Sequence, residues 1–235
     1  MRWISHSLLF ALCAALLASS PAVAQGTQEL TLQDALAQGL VRVESISGTS
    51  SDGLDYGQPL ALATIVGSGD APLQLTLPPG SLIEPISAGP PLIALGFAQS
   101  PLTVAPQASL QVGIVAFSTR VALHPTRANT YRLAGMTSDQ PLLALLKAIK
   151  QEGSYLGANL IPQRAIWQVA ASADCAATDS AIQGVFGVML GCQGAEAQHV
   201  AVLISSSQAP AQTLPETLAT PIRAYTNVAV TSRHG

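Results

Sequence analysis

The sequence predicts an α+β protein, with an antiparallel β-sandwich over 40–126 followed by a small helical, disulfide-pinned part over 135–206. Three observations carry this expectation. From Leu40 to Ser118 apolar residues recur at every second position in short runs bounded by turn residues. From Asp139 onward the apolar spacing changes to three and four, the period of a helix. Cys175 and Cys192 then lie in the helical part, separated by glycines at 187 and 191.

The chain begins with Arg2 and His6, an apolar run from Leu8 to Leu17, Ser19-Ser20-Pro21, and the small-residue triplet Ala22-Val23-Ala24. A charged start, an apolar stretch too short to span a bilayer and an A-x-A site read as an export signal cleaved between Ala24 and Gln25. The expected destination is the periplasm or the exterior. Cys13 sits inside the apolar run without the small residue expected before a lipidated cysteine, so no lipid anchor is expected. No second apolar run of membrane-spanning length follows, so the mature chain is expected to have no stable membrane anchor.

Within 25–39, Thr31 reads as the N-cap of a short helix carrying Leu32, Ala35 and Leu36, with Gly39 as its stop. Strands follow. Val41 and Val43 alternate with Arg42 and Glu44, Leu60 and Leu62 with Ala61 and Ala63, and Leu73, Leu75 and Leu77 with Gln74 and Thr76. Further runs lie at 92–98, 102–105 and 109–118. Turn residues at Ser51-Asp52-Gly53, Ser68-Gly69-Asp70, Pro78-Pro79-Gly80 and Gly89-Pro90-Pro91 separate them. In Pro79-Gly80 the proline presets the first central residue of a type II turn, and the glycine supplies the positive φ of the second. Short strands at this spacing with no intervening helix predict an immunoglobulin-like sandwich whose strands need no later segment to pair.

In the second part, Asp139 and Pro141 open a helix with Leu142, Leu145, Leu146 and Ile149 on one face and Gly153 at its end. A second helix is expected near 160–171, from Asn159 and an early Pro162, and a third capped by Thr178-Asp179 and ending at Gly187. The segment 196–206 fits a helix, but Val200, Val202 and Ile204 also alternate as a strand would. The proline-containing tail 207–235 reads as an extended segment with a final strand at 225–230. After signal removal two cysteines remain, an even number in an oxidising compartment, which predicts a Cys175–Cys192 disulfide. One straight helix through both would hold their Cα atoms far beyond the roughly 4.4–6.8 Å a bridge needs. A stop at Gly187 and an extended return through Gly191 permits it.

Composition narrows the function. Charged residues make up 10% of the chain, against a typical value near 25%, with a net charge of −3. Lys147 and Lys150 are the only lysines and no basic stripe exists, which argues against nucleic acid as a partner. His124, His199 and His234 are scattered without metal-ligand spacing, and Asp52, Asp55 and Asp70 read as solvated turn acids rather than a calcium loop. No G-x-S-x-G elbow, phosphate-cradling glycine pattern or dinucleotide fingerprint is present, so no catalytic residue, metal or cofactor is assigned. Arg164 and Trp167, three residues apart on the second helix, fit either an exposed cation–π binding anchor or packing between the helical part and the sandwich. Arg120, Arg127 and Arg132 around Tyr131 concentrate positive charge, suited to an acidic partner or to an interdomain ion-pair region.

The stretch Leu73-Gln74-Leu75-Thr76-Leu77-Pro78-Pro79-Gly80-Ser81-Leu82-Ile83, with Leu102-Thr103-Val104-Ala105-Pro106, resembles the strand–turn–strand pattern of secreted prokaryotic immunoglobulin-like modules. Gln163-Arg164-Ala165-Ile166-Trp167 is similar to a helix segment of exported bacterial proteins that carry such a module. The resemblance implies a bacterial periplasmic or extracellular protein that binds a protein or cell-envelope partner, and it brings no catalytic residues. The expected function is therefore non-enzymatic interaction or envelope structure. The alternative expectation is an exported hydrolase with a non-sequential site near His124 or His199.

Overall fold

The computed structural model describes residues 27–49, 61–153 and 160–208. The expected export signal, Asp52, Asp55, Asn159, His234 and the expected strand at 225–230 lie outside these residues. The order of elements is β1 (Gln28–Thr31), α1 (Leu32–Ala37), β2 (Val41–Gly48), β3 (Ala61–Gly67), β4 (Leu73–Thr76), β5 (Ser81–Pro85), β6 (Leu92–Phe97), β7 (Leu102–Val104), β8 (Ser109–Ser118), β9 (Tyr131–Met136), α2 (Gln140–Glu152), α3 (Ile161–Ala170), α4 (Cys175–Phe186) and α5 (Ala195–Gln208). The chain is thus a mixed α+β protein.

The immunoglobulin-like sandwich requires correction. Six strands form one sheet in the order β2-β3-β8-β6-β5-β9, and its two ends meet. Ser47 at the end of β2 bridges Thr130 just before β9, and the Gly48 N–H donates to the Asn129 carbonyl at 3.1 Å. The sheet is therefore nearly a closed barrel. A three-stranded sheet, β1-β4-β7, holds a parallel β1–β4 pair. Its Leu73, Leu75, Leu102 and Val104 share one core with Leu32 and Ala35 of α1 and with the inward residues Ala61, Ala63, Ile65, Ile83, Val112 and Ile114. Closure explains why β9 lies past residue 126: it pairs with β5, with Arg132 opposite Glu84 and Tyr131 opposite Pro85.

The turn at Pro78-Pro79-Gly80 forms as expected, with the Ser81 N–H bonded to the Pro78 carbonyl at 3.2 Å and Gly80 at φ +92°. It does not close a hairpin, however. It carries the chain from β4 in the small sheet to β5 in the large one.

Helices α2, α3 and α5 cover the outer face of the large sheet. Ile93 and Leu95 of β6 and Phe117 of β8 form a second core with Leu142, Leu145, Leu146 and Ile149 of α2, Ile161, Ala165 and Ile166 of α3, and Val200 and Leu203 of α5. All six residues of β6 are buried because both of its faces are covered. A bulge between Ala94 and Gly96 returns Phe97 to the inner core after Leu95 has faced the helices. The Gln163 side chain of α3 fastens the layers, accepting from the Ser118 N–H at 3.0 Å and donating to the Ser118 carbonyl at 2.7 Å.

Local signals decide the helix ends. Asp139 caps α2 by accepting from the Leu142 N–H at 3.0 Å, and Gly153 ends it at φ +71°. The cap of α4 is Asp174, which accepts from the Ala177 N–H at 2.7 Å, so Thr178 and Asp179 lie within that helix rather than at its start. The segment 196–206 is helical: Val200, Leu203 and Ser207 are buried on one stripe while Val202 is 57% exposed.

Candidate functional site

α3 is buried nearly all round: every residue from Ile161 to Trp167 is buried, the polar Gln163 and Arg164 included, as expected of a helix packed on several sides. Arg164 and Trp167 are both fully buried, which overturns the exposed cation–π anchor. Trp167 packs with Leu160 and with Ala181, Ile182 and Phe186 of α4, so its packing is between helices rather than against the sheet.

Arg164 carries a permanent charge and five N–H donors, and burial is tolerable only if those donors find acceptors. They do. Nε donates to Thr178 Oγ1 at 3.3 Å, Nη1 to the Gly191 carbonyl at 2.6 Å, and Nη2 to the Cys175 carbonyl at 3.2 Å. Nη2 also contacts both sulfurs of the disulfide, Cys175 Sγ and, at 3.3 Å, Cys192 Sγ. The countercharge is Asp179, whose Oδ1 lies 3.8 Å from Nη1. The same oxygen accepts from the Leu190 and Gly191 N–H groups at 2.9 and 2.8 Å.

The expected disulfide is present, with Cα atoms 5.8 Å apart. Cys175 is the first residue of α4 and is half-buried, whereas Cys192 is exposed. Between them α4 ends at Gly187, with φ +71°, and Gly191 also adopts φ +71°. The return segment is consequently held at both ends and along its backbone. Leu190 packs inward against the Trp167 cluster, while Val188 and Met189 are 37% and 66% exposed. The result is a pinned loop that presents apolar side chains to solvent over a buried cation.

The other sequence candidates are not brought to this site. Arg132 pairs with Glu84 at 3.0 Å across neighbouring strands, so it is an exposed cross-strand pair within one sheet and not an interdomain one. Arg127 Nε donates to the Thr49 carbonyl at 3.2 Å, near the seam of the barrel. His124 holds the Pro125 carbonyl at 2.8 Å through Nδ1 and meets the Phe186 ring edge-on; burial lowers its pKa from the usual value. His199 Nε2 lies 2.5 Å from Glu152 Oε1. Among the described residues neither imidazole is hydrogen-bonded to a serine or cysteine side chain. A cleft of about 340 Å³ lies beside Lys150, lined by Leu95, Gly96, Phe97, Ser100 and Val115. Among the described residues no three His, Cys, Asp or Glu side chains are grouped to hold a metal ion, and no helix is long and apolar enough to cross a membrane.

Thr178, Asp179 and Gly191 were missed as members of this network. The available signal was the setting of Arg164, a charged residue amid Ile161-Pro162 and Ala165-Ile166-Trp167, which calls for a buried partner from another element. Compared with known proteins, the chain matches no family model, no curated protein and no solved structure.

Proposed function

We propose that this is an exported, non-enzymatic interaction protein of the cell envelope, and that its contact element is the disulfide-closed loop 187–192. The observation that carries the reading is the exposure of Met189 on a segment fixed by the Cys175–Cys192 bridge and by the Asp179 carboxylate. A loop already held in its bound shape loses little conformational entropy on association. A methionine at its tip adapts to irregular apolar surfaces. Support for the compartment comes from the bridge itself, which suits an oxidising environment, and from the signal-like residues 1–24.

Fractionation of cells producing the full chain tests both halves. The exported form should begin at Gln25 and travel with the envelope fraction, and Met189→Asp should release it to the unbound fraction. Retention of residues 1–24 would contradict export. Unchanged partitioning of Met189→Asp would contradict the contact element.

A further inference from the structure

We propose that the Cys175–Cys192 bridge is exchange-active: an external dithiol attacks Cys192, and Cys175 departs as a thiolate held by the Arg164 guanidinium. This inference goes beyond the binding role of the loop, and either can fail without the other.

Access and charge both assign the direction of attack. Cys192 is exposed and open to a nucleophile, whereas Cys175 is half-buried at the first position of a 12-residue helix. In the oxidised protein Nη2 of the fully buried Arg164 donates to two neutral sulfurs, which are weak acceptors. Once the bridge opens, the same donor meets an anionic sulfur, and a charge-assisted hydrogen bond replaces a weak one. The helix N-terminus favours that anion as well. Among the described residues, the charged groups around the sulfur are Arg164 from α3, Asp174 at the N-cap of α4 and Asp179 within α4. Asp174 is engaged with the Ala177 N–H and Asp179 with the Leu190 and Gly191 N–H groups. Of these described charged groups only Arg164 contacts the sulfur. A thiol that is a better leaving group is expelled faster, so attack at Cys192 is the favoured route.

The electrons balance in two steps. The thiolate of the dithiol forms a bond to Cys192 Sγ as the Cys175–Cys192 bond breaks, and the electron pair leaves on Cys175. The second thiol of the dithiol loses its proton and attacks the sulfur that first joined Cys192. Cys192 is expelled and takes up that proton. The dithiol becomes a disulfide and the bridge is reduced by two electrons.

The test uses the full chain with Cys13→Ser and Cys192→Ser, in which Cys175 is the remaining cysteine and Arg164 is intact. Thiolate absorbance against pH should give a Cys175 midpoint below about 7, compared with about 8.5 for an ordinary thiol. Arg164→Gln in this background should return the midpoint to the ordinary value, and Arg164→Lys should restore part of the depression. In parallel, wild-type protein treated with reduced glutathione and quenched in acid should carry the glutathione adduct on Cys192. A midpoint near 8.5 with Arg164 intact, or an adduct found only on Cys175, overturns the proposal. Should Arg164→Gln fail to fold, the Cys192→Ser titration and the adduct position decide by themselves.

Discussion

Arg164 distributes its donors over α4, the loop after it and both sulfurs, so truncating it strands acceptors from three places at once. Arg164→Leu leaves Asp179 without its countercharge and the Gly191 carbonyl without its donor, and should cost about 3 kcal/mol in chemical denaturation. Arg132→Gln removes an exposed pair whose side chains are 68% and 46% accessible, and the same measurement should move by less than about 1 kcal/mol. His124 supplies a pH dependence of definite sign. Its folded pKa lies below the ordinary value near 6.5 because burial disfavours the charged ring. Below that value the unfolded chain binds more protons than the folded one, so stability falls as pH drops from about 6.5 through the folded pKa. The melting temperature should therefore decline from neutral pH toward pH 5, and His124→Gln should flatten that decline. Tyr131 does not enter this window: burial raises its phenol to about 12.

At the scale of elements, what could be read from the sequence was what neighbouring residues settle. Asp139, Pro141 and Gly153 act within one helix, and Pro79 and Gly80 within one turn, so their roles were visible without knowing the fold. Asp174 escaped notice because Thr178 and Asp179 are residues of the same capping type four and five positions later; burial of Arg164 against them is what gives them interior roles. β9 escaped because its partner β5 lies some 50 residues earlier, and nothing local names that pairing. The bulge at Ala94 and Gly96 is likewise invisible in an apolar run, where neither face is marked by polar residues. Gly80 gives the element-scale prediction. A Cβ there would meet Leu143 Cδ2 of α2, on a backbone with φ +92°. Gly80→Ala should destabilise by about 1–2 kcal/mol through strain at the turn that links the two sheets.

For the whole molecule, alternation predicted that a fragment ending near Thr126 would keep its β structure. The described fold points the other way. Ending at 126 removes β9, opens the β5 edge and uncovers Ile93, Leu95 and Phe117, which the helices bury. Such a fragment should lose native circular dichroism or aggregate, while the full chain with its bridge intact should unfold in one transition followed by both far- and near-ultraviolet signals. Opening the bridge acts on a smaller scale, since a loop of this length contributes about 3 kcal/mol in the chain-entropy model. The barrel core of Ala61, Ile65, Leu75 and Ile114 lies in a separate cluster from the one that Leu190 joins, so Cys175→Ser should lower the melting temperature without abolishing the β signal.

The central claim is that the bridge and the buried arginine beneath it hold loop 187–192 as a preformed contact. The most direct measurement replaces Met189 with a photo-crosslinking residue in the full chain and compares it with the same residue at exposed Gln198. Position 189 should yield one discrete adduct in the envelope fraction, position 198 none, and the adduct at 189 should fall at least about tenfold when Cys175→Ser and Cys192→Ser remove the bridge, as loss of preorganisation requires. An equal yield without the bridge, or no adduct at 189, would contradict the account.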